Sequence, residues 1–210
     1  MDLPLLWDVS YGMYVVGVND GEKATGCIVN TIVQITSENP VFAISLHKNN
    51  YTTKTLMKTK KACISILSEN FPGEYIGTLG FQSGENIDKF SDIPHFTAYG
   101  MPVPTIGICG YFTADLVSYH EMETHIVAFV KVNDLVKFSD EPPMTYKYYH
   151  QVIKGRAPKN APTFIEADLS ENKDEEKYVC KICGYIHEGP LPDNFICPIC
   201  SMGKDKFNKI

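Results

Sequence analysis

Short apolar segments separated by turn-forming residues recur through most of this 210-residue chain. Tyr14–Val18 is rich in β-branched side chains, and the Asn19-Asp20-Gly21 sequence after it tolerates positive φ, which predicts a hairpin turn. Further strands are predicted at Gln34–Thr36, Val41–Leu46, Ala62–Leu67, Thr105–Tyr119 and His125–Val132.

Helical patterns are few by comparison. They predict helices at Thr53–Thr59, with Thr52 as the N-cap, and at Glu74–Leu79. Mostly short strands at fairly regular spacing, with two short helices, favour a β-barrel or sandwich over an alternating α/β sheet. The expected fold is therefore mainly β.

Composition and charge narrow the class of protein. The net charge is −6 and no basic cluster of useful size is present, so we expect no nucleic-acid partner. The sequence contains no run of eighteen apolar residues, so we expect no membrane span. The N-terminus has Asp2 where a signal peptide needs basic residues, so a cytoplasmic location is expected.

The seven cysteines are unevenly distributed. Cys27, Cys63 and Cys109 are scattered, whereas the other cysteines lie close to the C-terminus and are Cys180, Cys183, Cys197 and Cys200. An odd total in a chain without a recognisable signal peptide argues against a disulfide framework. Metal ligation is the better interpretation of the C-terminal cluster.

Two Cys-x-x-Cys pairs form this cluster, and each pair places both thiolates on one side of a tight turn. Gly184, directly after the first pair, suits the left-handed backbone that such a turn needs. Two such turns make a closed tetrahedral sulfur site, which selects zinc or iron. Spacing alone leaves both metals open, and metal binding should supply most of the folding energy of residues 178–210.

Residues 178–207 resemble the short rubredoxin domain at the C-terminus of rubrerythrins. The resemblance is carried by Tyr178–Gly189, by Cys197–Cys200 and by the thirteen residues between the two cysteine pairs. It implies one redox-active iron, with zinc as the alternative. Ser201 departs from the pattern, which has glycine there, and we expect some strain in that loop.

A charged segment precedes this domain. Glu166–Lys177 carries six Asp/Glu and two Lys/Arg and no aromatic residue, so it cannot bury enough apolar surface to offset its ordering entropy. We therefore divide the chain into a domain at 1–163, a flexible acidic linker at 164–177 and a metal domain at 178–210. Fully extended, the charged segment could reach about 40 Å.

The first domain lacks a decisive motif. It has no Rossmann glycine fingerprint, but polar segments follow its apolar strands at Thr25–Thr31 and Ser45–Thr53. We expect both to be loops, and the second offers hydroxyls, amides, a lysine and a helix start, which suit a phosphate. The alternative is an ordinary strand–helix loop with an N-cap.

The order of segments over residues 5–155 resembles the flavin reductase family of split β-barrel FMN proteins. The tail Tyr148–Thr163 resembles the subgroup fused to rubredoxin, the high-molecular-weight rubredoxins. The resemblance implies FMN, NAD(P)H as substrate, and a homodimer. It also implies His125 as the residue beside the nicotinamide or the flavin edge. The implied cofactor-binding residues are Thr25, Cys27, Asn30, Lys48, Asn49, Asn50, Thr52, Ser83, Gly84, Lys154 and Lys159.

These expectations together describe an oxidoreductase in which electrons pass from NAD(P)H through FMN to a rubredoxin iron. The resemblance further implies an external acceptor such as a flavodiiron oxygen or nitric oxide reductase. The alternative is a flavin reductase that supplies reduced FMN and carries a structural zinc ribbon.

Overall fold

The computed structural model describes residues 3–158, 160–164 and 176–209. Within these residues the strands of the first domain form a seven-stranded antiparallel sheet in the order β2-β1-β5-β8-β9-β4-β3. Its strands in chain order are β1 Tyr14–Asn19, β2 Ala24–Val29, β3 Ile32–Gln34, β4 Val41–His47, β5 Lys61–Leu67, β8 Ile108–Glu121 and β9 His125–Lys137. A hairpin of β6 His95–Ala98 and β7 Met101–Pro104 packs against β1, β2 and β5.

This sheet is curled into a barrel-like shape. Its two edge strands, β2 and β3, are separated along the chain by Asn30 and Thr31 alone. Since such a short link spans only about 10 Å, the two edges of the sheet must approach each other. The fold is therefore mainly β, with a curled half-barrel, as the strand pattern predicted.

Apolar side chains of the strands fill the inside of this sheet. Val15, Val16 and Val18 of β1 are fully buried, and Ile44 and Leu46 contribute from β4 on the other side. The hairpin turn at Asn19–Gly21 is confirmed: Gly21 has φ +95°, and the Asn19 side chain accepts a hydrogen bond from its backbone amide.

The helices are α1 Tyr51–Thr59, α2 Gly73–Phe81 and α3 Tyr146–Gln151, preceded by a 3-10 turn at Leu3–Asp8. The prediction that Thr52 caps α1 is wrong. Asn50 is the N-cap, and its side chain accepts a 3.1 Å hydrogen bond from the Thr52 amide. Asparagine is the better cap here because its carbonyl reaches two residues ahead without a helical backbone.

Other boundaries also differ from the prediction. Thr25–Thr31 is not a loop, because most of it forms β2 paired with β1, with Thr25 and Cys27 buried in the sheet. β8 begins at Ile108 rather than Thr105, since Gly107 adopts φ +69° just before it. β3 lies two residues earlier than predicted, and β6, β7 and α3 were missed because they are short.

A second small domain follows. Its described part contains a three-stranded sheet of β10 Lys177–Cys180, β11 Ile186–Glu188 and β12 Phe207–Lys209, with a 3-10 turn at Lys204–Lys206. Gly184 has φ +74°, as its position after the first cysteine pair predicted, and Ser201 is held at φ +56°. The proposed linker falls largely on residues 165–175, outside the described residues.

Among the helices of the described ranges, none combines the length and the apolar character needed to cross a bilayer.

Candidate flavin site and four-cysteine centre

A cavity of about 630 Å³ opens where the barrel, the segment after α3 and the metal domain meet. Its volume is within the range of small-molecule and cofactor sites. Its polar lining includes residues from several distant parts of the chain: Asn30, Ser45, His47, Asn49, Asn50, Ser83, Lys89, His125, Arg156, Asn160 and Thr163.

The end of β4 and the start of α1 form one polar wall of this cavity. Asn50 caps the helix, while Thr53 donates its hydroxyl to the His47 carbonyl at 2.9 Å. These bonds fix the turn that places Asn49 and Asn50 at the cavity. The N-terminus of a nine-residue helix carries partial positive charge, so this wall favours an anionic group.

Thr52, in the first turn of α1, has a fully buried hydroxyl without a hydrogen-bond partner in the described part of the chain. An unpaired buried hydroxyl is costly, which marks a position where a bound group can supply the missing bond. Thr25 Oγ1 is similarly unpaired, but it is covered by Gly84: a Cβ there would lie 2.3 Å from it. A larger side chain at position 84 would not fit.

Asn30 forms the opposite wall through a chain of hydrogen bonds. Its Nδ2 donates to Thr163 Oγ1 at 2.8 Å, and the Thr163 hydroxyl donates to the Tyr146 phenol oxygen at 2.9 Å. This buried connection holds the segment after α3 over the mouth of the barrel.

His125 stands at the start of β9 with both ring nitrogens engaged. Nδ1 is 2.8 Å from the Thr124 hydroxyl and Nε2 is 3.2 Å from the Asn160 carbonyl, so Nε2 carries the proton. Burial lowers the pKa of His125 from its ordinary value, which keeps the ring neutral at pH 7. The ring packs edge-to-face on His47 at 5.1 Å.

Lys89 is a cavity residue that the sequence did not indicate as a site residue. It is 2% exposed, and its ammonium donates to the carbonyls of Gly26 and Leu79 at 2.9 and 2.8 Å. Burial lowers the pKa of Lys89 to about 8. The available signal was the Lys89-Phe90 pair, which is one of the segments that carry the resemblance to the flavin reductase family.

The predicted cofactor-binding residues, together with His125, the predicted catalytic residue, divide into two groups. The first group lines the cavity and comprises Asn30, Asn49, Asn50, Ser83 and His125. The second group is described but does not line it, and comprises Thr25, Cys27, Lys48, Thr52, Gly84 and Lys154.

Within the second group, Lys48 forms an ion pair with Glu121 at 3.2 Å, and Cys27 is buried under the sheet, where burial raises its pKa. Lys159 lies outside the described residues.

The four predicted metal ligands converge. The sulfurs of Cys180, Cys183, Cys197 and Cys200 all lie within 4.8 Å of one another. The Cys180–Cys200 and Cys183–Cys197 sulfur pairs are each 3.5 Å apart. Metal–sulfur bonds of about 2.3 Å in a tetrahedron require sulfur separations of about 3.8 Å, so the site fits one metal ion.

The surroundings of the four thiols shift their pKa values in different directions. The contact with the Cys183 sulfur lowers the pKa of the Cys197 thiol, and the backbone amides of Cys200 and Ile199 act in the same direction. Burial raises the pKa of Cys200 to about 12. Buried thiolates in this number require a bound metal to balance their charge.

The cavity and the metal centre are adjacent. The first cysteine turn, from Cys180 to Gly184, lines the same cavity as Asn50 and His125. The fully buried Tyr149 also lines this cavity; burial raises its pKa, and the nearby Cys183 adds to the shift. A redox cofactor in the cavity and a metal in the cysteine site would thus be neighbours.

A curled β fold with a cofactor-sized cavity beside a four-sulfur centre defines a flavin-type oxidoreductase with a rubredoxin-like metal domain. The chain belongs to the flavin reductase like domain family, which matches residues 7–155, and its residues 178–208 match the rubrerythrin rubredoxin-like domain.

Relatives of known function match the whole chain or most of it. The chain is 34% identical to a high molecular weight rubredoxin of Moorella thermoacetica, over the whole length of both proteins. It is 29% identical to a ferric-chelate reductase (NAD(P)H) of Archaeoglobus fulgidus, over 80% of this chain and 99% of that protein.

Solved structures share the fold of the first domain. An NADH:FAD oxidoreductase of Streptomyces globisporus has a TM-score of 0.62 at 16% identity, covering 67% of this chain and 83% of that one. An FMN-binding protein of Thermus thermophilus has a TM-score of 0.60 at 22% identity, covering 66% and 82%.

Proposed function

We propose that this protein oxidises NAD(P)H at an FMN held in the cavity and delivers the electrons, one at a time, to an iron held by the four cysteines. The observation that carries the proposal is that the first cysteine turn lines the cavity itself. A site for a two-electron donor beside a one-electron metal centre is the arrangement needed to pass the two electrons of a hydride on one at a time.

The residues around the cavity divide the work of holding FMN. Asn49, Asn50 and the start of α1 would bind its single phosphate, with the Thr52 hydroxyl gaining the partner it lacks. Asn30 and Ser83 would hold the ring and the ribityl chain. When bound, FMN supplies hydride chemistry, and the protein orients the reactants and excludes water.

His125 would orient the nicotinamide. Its ring is held in place by the Thr124 hydroxyl and the Asn160 carbonyl. Because the ring is neutral, it would present a rigid, uncharged surface to the nicotinamide. Lys154 would meet the phosphates of the dinucleotide, since it belongs to the segment after α3 whose Arg156 and Pro158 line the cavity. The same role is proposed for Lys159.

The ferric-chelate reductase relative supports the use of NAD(P)H, and the high molecular weight rubredoxin supports iron in the tail. We propose residues 164–177 as the linker between the domains. We further propose a cytoplasmic redox partner, such as a flavodiiron protein, as the final acceptor.

A homodimer is also proposed. Apolar side chains are exposed on β3 and at the end of β8, including Val33, Val117 and Tyr119. A second copy of the chain could cover them, and sedimentation equilibrium of the purified protein tests this.

The experiment that tests the proposed function begins with the absorption spectrum and the metal content of protein produced with ample riboflavin and iron. Flavin bands with a ferric–thiolate band, and oxidation of NADH or NADPH coupled to an added one-electron acceptor, are expected. Protein that holds zinc and loses its flavin on gel filtration, yet reduces free FMN, would support the alternative of a flavin reductase with a structural tail.

A further inference from the structure

The two cysteine turns have nearly the same sequence but different surroundings. Ile182, in the first turn, is 39% exposed, whereas Ile199, at the matching position of the second turn, is 0% exposed. A domain of this size cannot bury both of its metal-binding turns in its own core. The first domain must therefore cover the second turn.

The covering element is α2. A Cβ at Gly73 would lie 2.5 Å from the Pro198 carbonyl oxygen, and a Cβ at Gly77 would lie 2.7 Å from that of Ile199. The two glycines are four residues apart and so share one face of the helix. Since glycine weakens a helix interior relative to alanine, Gly77, inside α2, carries a cost that the close approach of the second turn explains.

Side chains on both sides of this contact extend it. Phe81, at the end of α2, and Ile153, after α3, pack against the buried cluster of the metal domain. On the other cysteine turn, a Cβ at Gly184 would meet Arg156 Cβ at 3.3 Å. Contacts on both turns leave the metal domain in one position on the barrel, with the first turn directed into the cavity.

We propose that the face of α2 formed by Gly73 and Gly77 is an intramolecular docking surface for the Cys197–Cys200 turn, and that the docked position is the one in which the metal receives electrons from the cavity of the same chain. This inference rests on the proposed function. Each hydride brings two electrons, and the iron takes one at a time, from ferric to ferrous. Two transfers through the docked position therefore match one hydride, with an external one-electron acceptor reoxidising the iron between them.

Methyl groups on α2 test the docking surface. In the double variant Gly73→Ala/Gly77→Ala, the added carbons displace the second turn, while the helix itself gains in propensity. The matched control is Glu74→Ala on the same helix, an exposed position that does not line the cavity. All three full-length proteins are compared with their metal bound.

Small-angle X-ray scattering should give a larger radius of gyration for the double variant than for the wild type and the control. In anaerobic stopped flow with NADH, flavin reduction should keep its rate, whereas iron reduction should slow by about tenfold or more, because the turn is displaced. If the double variant loses its metal, the single variant Gly77→Ala gives the same comparison.

Equal scattering and equal iron reduction in all three proteins would overturn the docking surface. The proposed function fails in a different way: the flavin of the wild type would then not be reduced by NADH or NADPH, while the scattering comparison would still report on docking.

Discussion

The Asn30 amide donates a 2.8 Å hydrogen bond to the Thr163 hydroxyl, and so joins the end of β2 to a segment 133 positions further along the chain. This single buried bond closes the polypeptide over the cavity. The arrangement explains why the tail of the first domain belongs to the candidate flavin site.

Replacing Thr163 with valine tests this closure. The variant leaves the buried Asn30 amide without its acceptor, which should cost about 1–3 kcal/mol of unfolding free energy. The flavin should also dissociate faster, because the segment over the cavity loses its anchor. Chemical denaturation and flavin release followed by fluorescence measure the two effects; unchanged values in both would show that the bond does not close the site.

Removing the unpaired Thr52 hydroxyl should affect stability and flavin affinity differently. In Thr52→Val the apoprotein should be as stable as the wild type or slightly more so, because a buried unsatisfied group is removed. Flavin affinity should fall about tenfold, since the bound cofactor loses one hydrogen bond to a negatively charged group.

The matched control is Ser65→Ala, because Ser65 has an equally buried and unpaired hydroxyl but belongs to β5, none of whose residues lines the cavity, whereas Thr52 directly follows the cavity residues Asn49 and Asn50. It should leave flavin affinity unchanged. An equal loss of affinity in both variants, measured by titrating the apoproteins with FMN, would remove Thr52 from the binding site.

Removing one of the four thiolates should abolish metal binding without affecting flavin binding. Cys200→Ser should abolish stoichiometric iron binding and unfold the metal domain, because the metal supplies most of its folding energy. Flavin content should be retained. Cys109→Ser is the control, since that thiol donates to the Glu141 carbonyl at 3.3 Å, a bond that a hydroxyl can also make, and is not part of the four-sulfur cluster. Iron and flavin per chain, measured by mass spectrometry of metals and by absorbance, decide the outcome.

Lys89 predicts a specific pH dependence. Its pKa is lowered by burial to about 8 in the folded protein, against about 10.4 in an unfolded chain. Between these values the unfolded state binds more protons than the folded state, so this residue makes the folded protein more stable as pH rises. Below pH 8 the residue is charged in both states and its contribution to this slope disappears.

The comparison is with Lys89→Met. The stability of the wild type relative to the variant should increase between pH 8 and pH 10, measured by urea denaturation of the apoproteins. A difference that stays constant over this range would mean that Lys89 titrates at its ordinary value.

Local sequence patterns predicted much of this molecule. The hairpin at Asn19–Gly21 and the left-handed backbone at Gly184 follow from residue chemistry over a few positions. The four-cysteine centre was predictable because its ligands come as two short pairs. Thr25–Thr31 was misjudged as a loop because it is rich in polar residues, and the pairing of Thr25–Val29 with β1 exists only in the assembled sheet.

Long-range relationships were not predictable. The burial of Lys89 depends on carbonyls of β2 and α2, and the contact of Gly77 with Ile199 joins residues 122 positions apart. Neither glycine of α2 differs, in sequence alone, from a glycine that merely weakens a helix. Ser201 lies between these cases: its strained φ of +56° was expected, because the preceding cysteine turn requires it.

The proposed relay requires that electrons reach the iron through the flavin. Anaerobic stopped-flow absorption of the purified protein, mixed with NADH or NADPH, follows both centres at once. The flavin band should bleach first and the ferric–thiolate band second, at a rate independent of protein concentration. Iron that remains oxidised after the flavin is fully reduced would contradict the relay.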